Sequence, residues 1–492
     1  MIVVLLILIP LLSGLVTFFL KGGNSAKTCA LISSLLTLGV SISGLTIFNN
    51  ADLLLFKADW LPGLGSTFSI RLDGMGQLLC LLTAVSFPLI FVATWRHEYK
   101  NAHNFFALML LSQAGLMGVF LAMDALVFYF FWELALIPVY FLCSIWGGEK
   151  RIQATFKFFI YTFIGSVLML VGLIYLQSQT ESKSFDITAF YALNISHNSQ
   201  SWIFLLMFVA FAIKMPVFPL HTWQPDTYEQ APTATTMVLN GIMAKMGVFA
   251  VIRWLLPVLP FASFAYGETT VTVLAVIGMI YASLLAIRQD DMKRLIAYSS
   301  IAHIGLMVIA IFAETTISLQ GVMIQMFNHG INIIGLWIIV EIIERKYGTR
   351  KMSELGGLAQ KAPVMAMLFV IIALANIALP LTNSFVGEFM MFSGIFSSPL
   401  FQYELIIVPA AGLCIILAAV YVLKMVQKVL YGNTILLTEM ATDIRLNEKV
   451  VLGIIVMLII VAGVYPQPFL DLTKDTTNFI LKESNVIHLL KK

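Results

Sequence analysis

The chain has 492 residues, 60% of them hydrophobic and only 11% charged, with a formal net charge of +3. Soluble domains carry about 25% charged residues, so a mean hydropathy of +0.93 excludes a water-soluble enzyme and specifies an all-α polytopic membrane protein. Cys29, Cys80, Cys143 and Cys414 are scattered without a CxxC pair. Iron–sulfur clusters need grouped thiolates, so these cysteines read as small buried hydrophobes, and neither a cluster nor a disulfide is expected.

Apolar runs of about 20 residues mark spanning helices. They are expected at 2–20, 28–47, 75–95, 105–122, 124–146, 155–177, 202–220, 233–256, 270–287, 295–313, 317–343, 363–397, 404–431 and 449–467, about fourteen in all. The first lacks a basic segment before its apolar run and a cleavage site, so it reads as a retained helix rather than a signal peptide. The odd-numbered connections hold most of the loop lysines and arginines, from Lys21 and Lys27 to Arg445 and Lys449, whereas the even ones hold Lys57, Arg71 and Lys183. The positive-inside rule then puts the odd loops in the cytoplasm and both termini on the far side. The longer even loops, 48–74 and 178–201, are expected to cap the outer face. GLGS at 63–66 lacks the flanking strand and helix of a dinucleotide fingerprint, and there is no P-loop.

Two helices carry proline breaks. The stretch FVAFAIKMPVFPLHTWQPDTYEQAPTATTMVLNGIMAKMG, 208–247, places Lys214 just before Pro216 and Pro219 and puts Lys245 on the next apolar helix. Proline removes a donor and blocks the preceding turn, and broken helices at membrane depth line polar cavities or are buried in protein. A second break is expected in ANIALPLTNSFVGEFMMFSGIF, with Pro380, Asn383, Gly387 and Glu388. The second break lies five helices beyond the first, an odd number, so the two broken helices run in opposite directions, the pattern of an inverted repeat. The expected organisation is three N-terminal helices (1–104), a first five-helix repeat (105–256), a second, inverted one (270–431), and a last helix with a tail (432–492).

An ionisable residue inside a membrane costs roughly 2.5–3.5 kcal/mol on insertion scales and marks function by default. Glu133, Lys214, Lys245, His303, His329 and Glu388 are the candidates for a line of proton carriers. The single histidines compete with a reading as packed interhelix contacts. Arg253, Lys424, Lys428, Lys157 and Glu341 read as interfacial or snorkelling groups, and Asp290 and Asp291 beside Lys293 and Arg294 as a solvated cytoplasmic loop.

The segment from Ala212 to Gly247, with RLIAYSSIAHIG, FNHGIN and the WEL at 132–134, resembles the signature of the antiporter-like subunits of complex I, the proton-pumping NADH:quinone oxidoreductase. The resemblance runs on to GVYPQPFLDL at 463–472. Within that family two features resemble the middle of three such subunits: Glu388 where the sister subunits carry lysine, and an end soon after the fourteenth helix, with nothing after Pro468 expected to form the long lateral helix of the largest sister subunit. The resemblance implies fourteen helices with two inverted repeats, pairing of Glu133 with Lys214, Lys245 as central carrier, His303 and His329 as relay, and Glu388 handing on to the exit or a neighbour. It implies a bacterial inner membrane and, as partners, the other membrane-arm subunits, two of them related to this chain. FMN, iron–sulfur clusters and quinone would be held by partner subunits, with no cofactor and no metal in this one. A sodium/proton antiporter or membrane-bound hydrogenase subunit is the alternative. A self-contained solute transporter and a purely structural membrane subunit are weaker readings.

Overall fold

In the computed structural model, which describes residues 1–46, 54–401 and 403–484, the apolar runs are helices. Helices α1 (Ile2–Thr17) and α2 (Gly23–Thr46) precede a hairpin of β1 (Leu55–Leu61) and β2 (Ser66–Arg71). Then follow α3 (Gly74–Ala93), α4 (Ala102–Leu121), α5 (Ala125–Trp146), α6 (Arg151–Gln179), α7 (His197–Lys214), α8 (Trp223–Gln230), α9 (Thr233–Leu255), α10 (Pro260–Arg288), α11 (Met292–Phe312) and α12 (Thr316–Tyr347). The chain continues with α13 (Pro363–Asn376), α14 (Asn383–Phe396), α15 (Glu404–Leu430), α16 (Leu446–Val464) and α17 (Gln467–Ser484). Among the described residues eleven helices are long and apolar enough to cross a membrane, and α1 and α13 are shorter apolar helices. Both expected breaks occur: α7 stops at Lys214 before α8, and the long run 363–397 divides into α13 and α14.

The apolar windows of α9, α11 and α12 are wholly buried, whereas α2, α6, α15 and α16 each leave an apolar side exposed. Helices apolar on every side belong inside, and these three carry Lys245, His303 and His329. Glycine lets them close up. A Cβ on Gly330 would lie 2.8 Å from the Gly241 carbonyl oxygen, and one on Gly241 would lie 2.7 Å from Ile334. The same device joins α4 to α5, where a Cβ on Gly115 would meet the Ala135 backbone nitrogen at 2.4 Å.

The two long even loops form one cap. Strands β1 and β2 pair antiparallel, and Asp124 bridges to Asp186 across the loops. Asp124 also accepts from Ser66 Oγ at 2.8 Å and caps α5 through the Leu126 N–H. The first part of the 48–74 loop and the last residue of the expected helix 28–47 lie outside the described residues, as does the tail beyond residue 484.

The C-terminal tail is helical rather than irregular, and it is not a long lateral helix. The stretch after Pro466 forms α17, an 18-residue helix packed on α3 and α12. Its buried stripe is Thr473, Thr476, Thr477, Ile480 and Ser484. That stripe has helical spacing but polar residues, so a search for apolar runs passes over it. Thr477 Oγ1 reaches Met323 Sδ at 3.6 Å, and Thr476 accepts the Gly74 N–H at 3.1 Å.

Candidate functional site

The first break leaves Ile213 with a carbonyl that the helix no longer uses, because Pro216 and the turn after it end the ladder. Trp223 Nε1 from α8 donates to it at 3.0 Å. Lys214, the last residue of α7, is buried, and its Nζ has no hydrogen-bond partner among the described residues. It lies 5.4 Å from the centroid of the Trp132 ring. Glu133 is half-buried on α5 and accepts from the Ser166 hydroxyl of α6. Its charge acts on Lys214 through space, but the pair makes none of the described ion pairs, all within 4.0 Å. The direct contact implied by the resemblance is therefore absent, since Glu133 is turned to Ser166.

Lys245 follows a π turn, Leu239–Met243, inside α9. Single π turns often accompany functional sites. Here Nζ donates back to the Asn240 carbonyl at 2.8 Å and lies 2.9 Å from His329 Nδ1 on α12. The rings of His329 and His303 are 5.4 Å apart between centroids, and His303 Nδ1 lies 3.1 Å from Glu388 Oε1 on α14. The structure thus brings Lys245, His329, His303 and Glu388 into one contiguous line from the centre to the second break. Glu133 and Lys214 stand apart from it on α5 and α7. Nε2 of both histidines is buried without a partner. A small cavity of about 20 Å³, enough for a single water, adjoins His303, Glu388 and Tyr421.

The second break is plugged by asparagines, of which the sequence reading named Asn383 but not Asn328 or Asn332. Asn328 Nδ2 donates to the Asn383 carbonyl at 2.8 Å, and Asn332 Nδ2 to Asn383 Oδ1 at 3.0 Å and Ser384 Oγ at 2.9 Å. Ala378 and Leu381 flank Pro380 with φ of 56° and 75°, backbone that only tight surroundings hold. Gln325 donates to Glu388 Oε1 at 3.4 Å, and Tyr421 and Asn376 both donate to Ser299 Oγ. Asn328, Asn332 and Gln325 share α12 with His329, and that spacing was the available signal.

Several side chains expected at an interface are paired instead, and Arg253 and Glu341 are also buried. Arg253 meets Asp73 at 2.5 Å, and Glu341 meets His97 at 3.3 Å. Lys157 donates to the Thr222 carbonyl at 2.7 Å and to Asp226 at 2.9 Å. The 290–294 segment is likewise not a free loop. Asp291 caps α11 and pairs with Arg350, while Lys293 is buried against Glu344 at 2.7 Å. Hydropathy sees each charge alone, whereas the partners come from helices far apart in sequence. On this same face a cavity of about 370 Å³ is lined by His97, Glu229, Lys293, Glu341, Glu344 and Arg350, among others. Among the described residues no group of three or more His, Cys, Asp or Glu is arranged to hold a metal, and the four cysteines are free.

A multi-pass helical protein with two broken helices and a buried lysine–histidine–carboxylate line is built as an ion-translocating membrane subunit. The family model for NADH:quinone oxidoreductase/Mrp antiporter transmembrane segments matches residues 122–414. Subunit M of NADH-quinone oxidoreductase from Rickettsia prowazekii is 37% identical, with 94% of this chain and 95% of that one covered. F(420)H(2) dehydrogenase subunit M from Methanosarcina mazei is 34% identical, with 97% of each covered. A chain of respiratory complex I from Thermus thermophilus with bound NADH superposes with a TM-score of 0.89 at 27% identity, covering 98% of this chain and all of that one. The chain belongs to the NADH:quinone oxidoreductase/Mrp antiporter transmembrane family.

Proposed function

We propose that this chain is the M-type proton-translocating subunit in the membrane arm of an NADH:quinone oxidoreductase. The observation that carries this is the line Lys245–His329–His303–Glu388, hydrogen-bonded at both ends and reaching the second broken helix. Glu133 and Lys214 form the input switch at the first break. When Glu133 loses its charge or its partner, the field holding the Lys214 ammonium changes, and with it the field on Lys245. A proton on Lys245 passes to His329, crosses to His303 and leaves through Glu388. The unpartnered Nε2 atoms are the groups that a bridging water would use between the two rings. Buried Ser112, Gln113, Gln224 and the Asn240 side chain also lack partners, and such groups are ordinarily met by water. They supply the path between Lys214 and Lys245.

Moving one charge against 100 mV takes about 2.3 kcal/mol. Energy comes from redox chemistry in partner subunits, which would hold FMN, iron–sulfur clusters and quinone. Two related antiporter-like subunits would flank the chain, with residues 105–256 and 270–431 as its two inverted repeats. The chain would lie in a bacterial inner membrane, and the bias of basic residues to the odd loops supports an orientation with both termini in the periplasm.

The test is Lys245→Ala in the assembled complex in closed vesicles, with NADH-driven quinone reduction and proton movement recorded together after a native gel. Assembly should survive while both activities fall sharply. Normal turnover with normal pumping would leave a structural subunit.

A further inference from the structure

The proposed line ends at Glu388, which is buried, so a proton there still needs a way out. Helix α14 runs on from Glu388 for six residues to Gly394, roughly 9 Å along its axis. There it meets the short connection between α11 and α12. Thr315 Oγ1 donates to the Gly394 carbonyl at 3.3 Å, and Ser398 Oγ donates to the Ala313 carbonyl at 2.7 Å. Glu314 lies between those two contacts. Its φ of 46° is left-handed, a conformation that non-glycine side chains adopt rarely and that clusters at functional sites. The residue is half-buried, yet its Oε1 is shielded and has no hydrogen-bond partner among the described residues.

We propose that Glu314 is the proton-release carboxyl of this chain, on the face opposite the basic loops. It would take a proton arriving from Glu388 along ordered water, for which the unpartnered Gln325 Oε1 is an acceptor, and give it to the outer solvent. This assignment rests on the translocation function proposed above.

Electrostatics agree with the position. Burial pushes the Glu314 carboxyl up to about 8, with the Ser484 hydroxyl of α17 opposing, so it changes charge near working pH. Of the nearby segments, Ala313, Thr315, Gly394 and Ser398 carry no charge. On α17 the flanking charges are Lys482 and Glu483. A carboxyl with a raised value binds a proton that an ordinary glutamate would have lost, and it empties about tenfold less for each pH unit below its titration point. Release should therefore slow as the outer solution is acidified through about 8.

The experiment uses the assembled complex in closed vesicles whose lumen contacts the outer face, with lumenal pH stepped through about 8 at fixed external pH. Parent turnover should rise as the lumen becomes more alkaline. Glu314→Gln and Glu314→Asn should flatten that response and slow proton delivery by about a hundredfold or more, the low end for a positioned proton-transfer group. Asparagine accepts a left-handed backbone, so it separates strain from titration. Parent-like delivery with an unchanged pH response in both variants, while Lys245→Ala stops pumping, would overturn the assignment of Glu314 alone. Normal pumping in Lys245→Ala would instead sink the function on which it rests. If neither Glu314 variant assembles, a parent that shows no lumenal response through about 8 overturns the proposal.

Discussion

Replacing Glu133 by glutamine removes a charge and leaves the shape. Lys214 Nζ is buried without a hydrogen-bond partner, and Glu133 is the charge acting on it. Their separation is beyond the 4.0 Å of an ion pair. Two unit charges 4 Å apart interact by about 4 kcal/mol at an effective dielectric near 20, so that is the upper bound on what the carboxylate contributes. The Trp132 face, 5.4 Å from Nζ, contributes about 0.5–2 kcal/mol. Losing the Glu133 charge therefore removes up to about 4 kcal/mol of favourable field at Nζ. Glutamine still accepts from the Ser166 hydroxyl, so α5 and α6 should stay packed. The expected result is an assembled complex in which NADH:quinone turnover and proton delivery to closed vesicles both fall by at least about tenfold. Glu133→Asp keeps the charge and should fall in between. Trp132→Leu should lose less than Glu133→Gln, because its contribution is smaller. An assembled Glu133→Gln complex with more than half of the parent turnover and pumping would refute the idea that this field holds Lys214.

Other substitutions probe the packing that aims the site. Gly330→Ala places a methyl 2.8 Å from the Gly241 carbonyl, so α9 and α12 must part and the 2.9 Å contact of Lys245 with His329 lengthens; pumping should drop more than the thermal midpoint of the complex. Gly115→Ala drives a methyl into the Ala135 backbone at 2.4 Å, two residues from Glu133. Its overpacking should cost about 1–3 kcal/mol and reduce turnover, read by thermal inactivation and quinone reduction. Asp443 caps α13 from a distant loop, accepting the Val364 and Met365 N–H groups at 2.9 and 3.1 Å. Burial would raise its carboxyl, but the N–H groups of Val364, Ile444 and Met365 outweigh that and hold it below the usual carboxylate range. A depressed value stabilises the fold above the ordinary aspartate pKa, and the gain disappears as pH falls through the folded-state value. Asp443→Ala should therefore lower stability by about 1 kcal/mol at neutral pH, and its unfolding midpoint should converge with the parent's in acid.

The spans, the two proline breaks and the six titratable candidates were legible because each is a local anomaly. A charge in an apolar run, or a proline inside one, stands out from its neighbours. Partnership was not legible. Glu341 looks interfacial until α12 sets it beside His97, and Lys293 looks solvated until Glu344 covers it. The glycine contact that brings Lys245 to His329 depends on Gly241 and Gly330 meeting across 89 residues of chain, and no helical period records it. Helix α17 escaped for the opposite reason, because its buried stripe is mostly threonine and serine, with Ile480 its one large apolar residue. The asparagine plug at the second break belongs between the two cases. Pro380 announces a break, but only the geometry shows that Asn328 and Asn332 meet the backbone it frees.

The spacing along the line also constrains how it can carry charge. With Lys245 Nζ and His329 Nδ1 2.9 Å apart, protonating both would cost about 6 kcal/mol of repulsion at an effective dielectric near 20. That exceeds the work of moving a charge against 100 mV, about 2.3 kcal/mol, so this contact holds a single excess proton. At the other end Glu388 stands 3.1 Å from His303 and attracts the proton that the lysine end repels. The wider gap between the two rings then separates a donor pair from an acceptor pair. A line with one open step in the middle can be loaded from one end without leaking from the other, which is what coupling to a remote energy source requires.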